Sequence, residues 1–130
     1  MSTTGTAKTL KNAVTFFEIP VTDLDQAVKF YETILAAPLR REVFGGIDSA
    51  LFPYERPGIG GALVQDPQRT PSATGTLIYL NCQGQLDAVI GRVAAAGGQV
   101  VLPKTDIGDP GFISIILDTE GNRVGLHTER

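Results

Sequence analysis

The chain has 130 residues, 42% of them hydrophobic, which is enough apolar material to build one domain-sized core. A net charge of −3 and a pI near 5.0 offer no basic surface for a phosphate backbone, so nucleic acid is not expected as a partner. The single cysteine, Cys82, rules out an intrachain disulfide framework and suits a reducing compartment, so a cytoplasmic location is expected.

In chain order, residues 1–12 are rich in Thr, Lys and Gly, lack the apolar stretch of a secretory signal, and read as a loose tail. No later segment approaches the ~20 apolar residues that span a bilayer, so no membrane contact is expected. Val14 to Val21 alternates as a half-buried strand does, with Phe17, Ile19 and Val21 on one face and Phe16, Glu18 and Pro20 on the other. Thr22 is the expected helix cap, with Asp25 as its reciprocal partner. Leu24, Ala27, Val28, Tyr31 and Leu35 then recur at helical spacing up to the stop at Pro38. Three strands follow at Leu39 to Phe44, Ser49 to Pro53 and Gly61 to Gln65, separated by turn-forming Gly and Pro.

The second half repeats this order. Thr76 to Cys82 is strand-like, and Leu86, Val89, Ile90 and Val93 form a helical stripe closed by Gly97 and Gly98. Three more strands are expected at Gln99 to Pro103, Phe112 to Leu117 and Arg123 to Thr128, the last two joined by the turn Asp118 to Asn122. A 61-position offset aligns Ile19 with Leu80, Val21 with Cys82 and Ala36 with Gly97. The chain therefore reads as one domain over 13–130, α+β in class and built from two βαβββ repeats, about 14–66 and 75–129, with Asp66 to Thr74 as the linker.

The run from Phe16 to Asp25, followed by Ala27-Val28-Lys29-Phe30-Tyr31, resembles the opening of the glyoxalase/bleomycin resistance/dioxygenase family of the vicinal oxygen chelate superfamily. Leu117 to Asn122 followed by Arg123-Val124 resembles that family's closing strand-turn-strand. The resemblance implies two modules whose strands form a curved mixed sheet around a groove, and a homodimer that completes two such grooves. It also implies metal ligands on the first and last strands of each module. Those positions fall near Phe16, near Leu77 or Ile78, between Ala62 and Val64, and at Gly125, and none of these side chains can ligate a divalent cation. The chain holds one histidine, His127, too few for the family's two-histidine sites. The expectation is a member deficient in the usual metal site, with no cofactor.

The polar groups left for the groove are few. Glu18 shares a face with Phe16, and His127 shares one with Gly125, so both could meet a ligand or form an acid/base pair. The plainer alternative is that they face water at the rim or pair with each other. Tyr79 and Asn81 share a face of the fifth strand and offer a ring and a carboxamide, though Tyr79 could equally be packing. Phe16, Glu18, Tyr79, Asn81 and His127 are thus the candidate ligand contacts, with no catalytic residue assigned. Lys104 to Phe112 has the composition of a surface turn or of a cover for a pocket. Cys82, with no basic neighbour, carries no sign of an activated thiolate. The expected function is a small-molecule-binding protein without the usual metal. The alternatives are a lyase, isomerase or dioxygenase with an atypical metal set such as Glu18 and His127 or with no metal at all, and an accessory or regulatory module.

Overall fold

The computed structural model describes residues 10–130; the remainder of the expected N-terminal tail, 1–9, lies outside the described residues. Leu10 to Asn12 are exposed and outside any regular element. The elements are β1 (Phe16–Pro20), α1 (Leu24–Leu35), β2 (Arg40–Phe44), β3 (Ile47–Leu51), β4 (Gly60–Gln65), β5 (Tyr79–Asn81), α2 (Leu86–Val93), β6 (Gln99–Asp106), β7 (Phe112–Leu117) and β8 (Arg123–Thr128). They form two four-stranded sheets of the same topology, ordered β1-β4-β3-β2 and β5-β8-β7-β6. In each, the outer strand that opens the module pairs parallel with the strand that closes it, and the other pairings are antiparallel. This is the α+β arrangement of two βαβββ modules. None of the described helices is long and apolar enough to cross a membrane.

Local sequence explains most of these elements. α1 is capped by Asp23 rather than Thr22: the Asp23 carboxylate accepts the Gln26 N–H at 3.1 Å, and Thr22 serves elsewhere. The helix ends at Leu35, and Ala36, two residues before Pro38, turns left-handed at φ 53°; Gly97, at the equivalent place in the second module, has φ 103°. Gly45 and Gly46, both at positive φ, make a two-residue hairpin turn, so β3 begins at Ile47 and not at Ser49. β6 runs three residues past Pro103, because register shifts between Val100 and Leu102 and between Leu102 and Thr105 keep it paired with β7. Lys104 to Asp106 are therefore strand, and only the segment after them is loop.

Side chains from both modules share one core. Ile19, Phe30, Tyr31 and Leu63 of the first pack with Val89, Val93, Ile116 and Leu126 of the second, all between the helices and the helix-facing sides of the sheets. Burial of each large side chain contributes about 1.5–3 kcal/mol. A polar hub locks the halves together. Asp118 accepts the Tyr31 hydroxyl at 2.6 Å and the backbone N–H groups of Glu120 and Asn122 at 2.9 and 2.8 Å. The Asn122 amide donates to the Pro20 carbonyl at 2.7 Å, and Glu120 accepts the N–H groups of Thr22 and Asp23 at 2.9 and 2.8 Å. The turn between β7 and β8 thus grips the junction of β1 and α1.

Candidate functional site

Strand alternation turns one face of each sheet toward the helices and one away from them. On the second sheet the outward face carries Tyr79 and Asn81 of β5. Their partners across to β8 are Gly125 and His127, which in turn pair with Ile115 and Ile113 of β7. Tyr79, Asn81 and His127 are therefore neighbours on one face, above two isoleucines, of which Ile115 is buried. Tyr79 leaves 46% of its surface exposed, and its ring lies directly against Gly125: a Cβ there would sit 2.3 Å from the ring's Cδ1. Only glycine at 125 leaves room for the ring in this position.

His127 donates from Nε2 to the Pro110 carbonyl at 2.6 Å, which in the neutral ring leaves Nδ1 as an acceptor. The same loop is held from its other side, where the Arg130 guanidinium donates to the Asp106 carboxylate and to the Gly108 carbonyl at 2.9 Å. The Arg130 guanidinium and the Gly108 N–H together pull the Asp106 carboxyl down to about 2. The loop is thus pinned at three points, as a turn would be. Asn81 accepts the Gln83 N–H at 2.9 Å through Oδ1, which shapes the entry to α2.

On the first sheet the outward face carries Phe16 and Glu18, whose partners on β4 are Gly60 and Ala62. Beneath them Leu51, Ala62 and Val64 form a small buried apolar cluster joined by Ile47. Phe16 is half exposed beside a hollow of about 560 Å³ that Tyr54 and Arg56 also line. Glu18 does not meet His127. Its carboxylate takes a hydrogen bond from Arg69 of the linker, whose Nε donates to Asp66 at 3.0 Å. The bonds to Glu18 and then Asp66 push the Arg69 guanidinium up from its ordinary value, and the Gln68 N–H followed by Arg69 pulls the Asp66 carboxyl down. The five sequence candidates therefore separate into two groups, Tyr79, Asn81 and His127 on one sheet and Phe16 and Glu18 on the other. Arg69 and the Pro110 carbonyl were not expected as partners. Arg69 had only its i,i+3 spacing from Asp66 as a signal, and the carbonyl had none.

The positions at which the resemblance implies metal ligands do not fit a metal. Phe16, Ala62, Ile78 and Gly125 offer no donor, and the Tyr79 ring covers Gly125. Among the described residues no three His, Cys, Asp or Glu side chains gather closely enough to hold an ion. Cys82 is buried beneath the opposite face of β5, and burial pushes its thiol up, away from thiolate chemistry.

Comparison with known proteins places this geometry. A family model described as Glyoxalase/Bleomycin resistance protein/Dioxygenase superfamily matches residues 13–126. CFP32 of Mycobacterium bovis and Mycobacterium tuberculosis, provisionally named a glyoxylase, is 42% identical over 60 residues; these are 46% of this chain but only 22% of CFP32. Among solved structures, a glyoxalase/bleomycin resistance protein from Albidiferax ferrireducens superposes with a TM-score of 0.68 at 18% identity, covering 91% of this chain and 100% of that one. The fosfomycin resistance protein FosX of Listeria monocytogenes gives a TM-score of 0.66 at 15% identity, with 94% of each chain covered. These likenesses establish a shared fold, and the family model spans nearly the whole sequence. The chain belongs to the Glyoxalase/Bleomycin resistance protein/Dioxygenase superfamily.

Proposed function

We propose that this chain binds a small organic molecule against the outward face of its second sheet, and that it does so without a divalent metal. The observation that carries this reading is the Tyr79 ring seated on Gly125. It fills the place from which a metal-binding side chain would project and turns that place into an aromatic wall. Beside the ring stand the Asn81 carboxamide and the His127 imidazole, over Ile113 and Ile115. A mainly apolar surface with a few convergent polar groups is the usual make-up of a small-molecule site. Such a site holds its ligand by stacking and hydrogen bonding. Relatives named for drug resistance support sequestration as the role, and the family resemblance supports a cytoplasmic homodimer.

The names of CFP32 and of a glyoxalase-related enzyme from Fulvimarina pelagi, similar in fold at a TM-score of 0.65, favour a second reading as a lyase, isomerase or dioxygenase. A thermal-shift screen of uncharged and charged metabolites and antibiotics on chelator-treated protein tests both. The binding reading expects a stabilising compound that returns from the assay unchanged and whose affinity falls at least about tenfold in Tyr79→Ala and in His127→Ala. Turnover of that compound would favour the enzyme, and unaltered affinity in both variants would move the ligand off this face.

A further inference from the structure

The internal duplication creates two equivalent clefts where the modules meet, and they are closed differently. In the first, the end of β1 (Glu18 to Pro20) faces Ile78 and Asn122, and the linker runs along it as an outer wall of hydroxyls from Thr70, Ser72 and Thr74. The linker is fixed there by backbone bonds: the Ser72 N–H donates to Asn122 Oδ1 at 3.0 Å, and the Arg123 N–H donates to the Ser72 carbonyl at 3.3 Å. In the second cleft the roles of the modules are exchanged. The start of β1 at Phe17 stands where Ile78 stood, Leu80 where Ile19 stood, and Gly60 of β4 where Arg123 of β8 stood. None of the described residues 10–15, the stretch that precedes β1 as the linker precedes β5, lines this second cleft.

The second cleft has a volume of about 360 Å³, within the range of small-molecule sites. Its walls are aromatic and aliphatic, chiefly Phe17, Phe52, Leu80 and Val89, and Gln85 lines it with a carboxamide, whereas the Asn81 side chain belongs to the Tyr79 face and Gln83 Oε1 accepts the Glu129 N–H at 2.7 Å. No Asp, Glu, Lys or Arg lines it. A charged ligand entering it would lose its hydration with no opposite charge in return, a cost that a neutral molecule escapes. Gln85 precedes α2 without using its side chain to cap it, so its amide is available to a guest.

We infer that this open inter-module cleft is a second binding site, separate from the Tyr79 face, for an uncharged, mainly apolar molecule carrying a hydrogen-bonding group that meets the Gln85 carboxamide. The helix-facing residues Phe17 and Leu80 form its floor, so a guest there lies on the opposite side of β5 from Tyr79.

The test uses N-phenyl-1-naphthylamine, an uncharged dye whose fluorescence rises in apolar surroundings, and 1-anilinonaphthalene-8-sulfonate, which carries an anionic group on the same ring frame. Saturable binding of the neutral dye at one per chain is expected, with affinity for the sulfonate at least about tenfold weaker. Ala37→Trp and Gln85→Trp each put an indole at a residue that lines the cleft, and each is expected to abolish dye binding; two variants guard against one that does not fold, which its melting curve reveals. Tyr79→Ala separates the two faces. Dye binding that survives both tryptophan variants but disappears in Tyr79→Ala overturns the cleft site and leaves the other face standing. Equal affinity for both dyes overturns the ligand class, and no saturable binding of the neutral dye overturns the site itself.

Discussion

Residue 125 shows how one missing side chain changes the chemistry open to the site. With no Cβ at Gly125, the Tyr79 ring closes onto the backbone of β8 and becomes the wall of the outward face. Any larger residue must push the ring off its seat, and the cost is that of overpacking, about 1–3 kcal/mol. Gly125→Ala is therefore expected to lower stability by that amount in wild-type protein but by much less in a Tyr79→Ala background. Denaturant melts of the four proteins in this cycle measure the coupling, and additive effects would show that ring and glycine are independent. That Gly125 lacks a metal donor was legible from its place in the closing hairpin. That Tyr79 would cover it was not, because the contact depends on the register between β5 and β8, strands joined only through the rest of the module. Glu18 was read as a ligand contact or a partner of His127, and its bond to Arg69 was missed for the same kind of reason: Arg69 lies 51 positions away, in a linker whose path no periodicity predicts.

At the scale of elements, periodicity and turn chemistry carried most of the reading. β7 and β8 have the bounds expected from their apolar alternation and the turn between them. The helix stripes point inward as expected, with Leu24, Ala27, Val28 and Tyr31 of α1 and Leu86, Val89 and Val93 of α2 buried. The errors fall where local signals competed. The Gly45-Gly46 pair is a strong hairpin signal and, weighed fully, would have started β3 at Ile47. β6 was cut short at Pro103 because a proline and a lysine look like a strand's end, whereas the bulged edge tolerates both.

The docking of the β7–β8 turn on α1 depends on Tyr31, whose fully buried phenol is raised well above its ordinary value, first by burial and then by the Asp118 carboxylate. In the unfolded chain the phenol ionises near pH 10. Its contribution to stability is thus complete below that pH and declines as pH rises past it. Tyr31→Phe is expected to cost about 2 kcal/mol at neutral pH, the scale of a hydrogen bond to a charged acceptor. It should also flatten the alkaline decline, and chemical denaturation from pH 8 upward checks both. A variant that matches wild type at neutral pH would show that the hub does not hold the modules together.

For the whole molecule, duplication yields two sheets of identical topology and sequence divergence gives their outward faces different characters. The first face is apolar beneath, with Glu18 tied to the linker at its edge. The second keeps an aromatic ring, a carboxamide and an imidazole together. Because both modules contribute to one core, substitutions on either face can be judged by binding with the fold as a common reference. The family and the two-module fold were legible from motifs at the two ends of the chain and from the repeat between them. The ligand was not, since a shared fold hosts many chemistries and the site consists of a few side chains.

On the proposed function, the outward face of the second sheet binds its ligand without a divalent metal. Elemental analysis tests it most directly, on protein purified without chelator and again after incubation with zinc, nickel, manganese and iron(II) followed by gel filtration. No metal is expected to be retained in stoichiometric amount under any of these conditions. One metal per chain, retained by wild type and lost in His127→Ala, would contradict it.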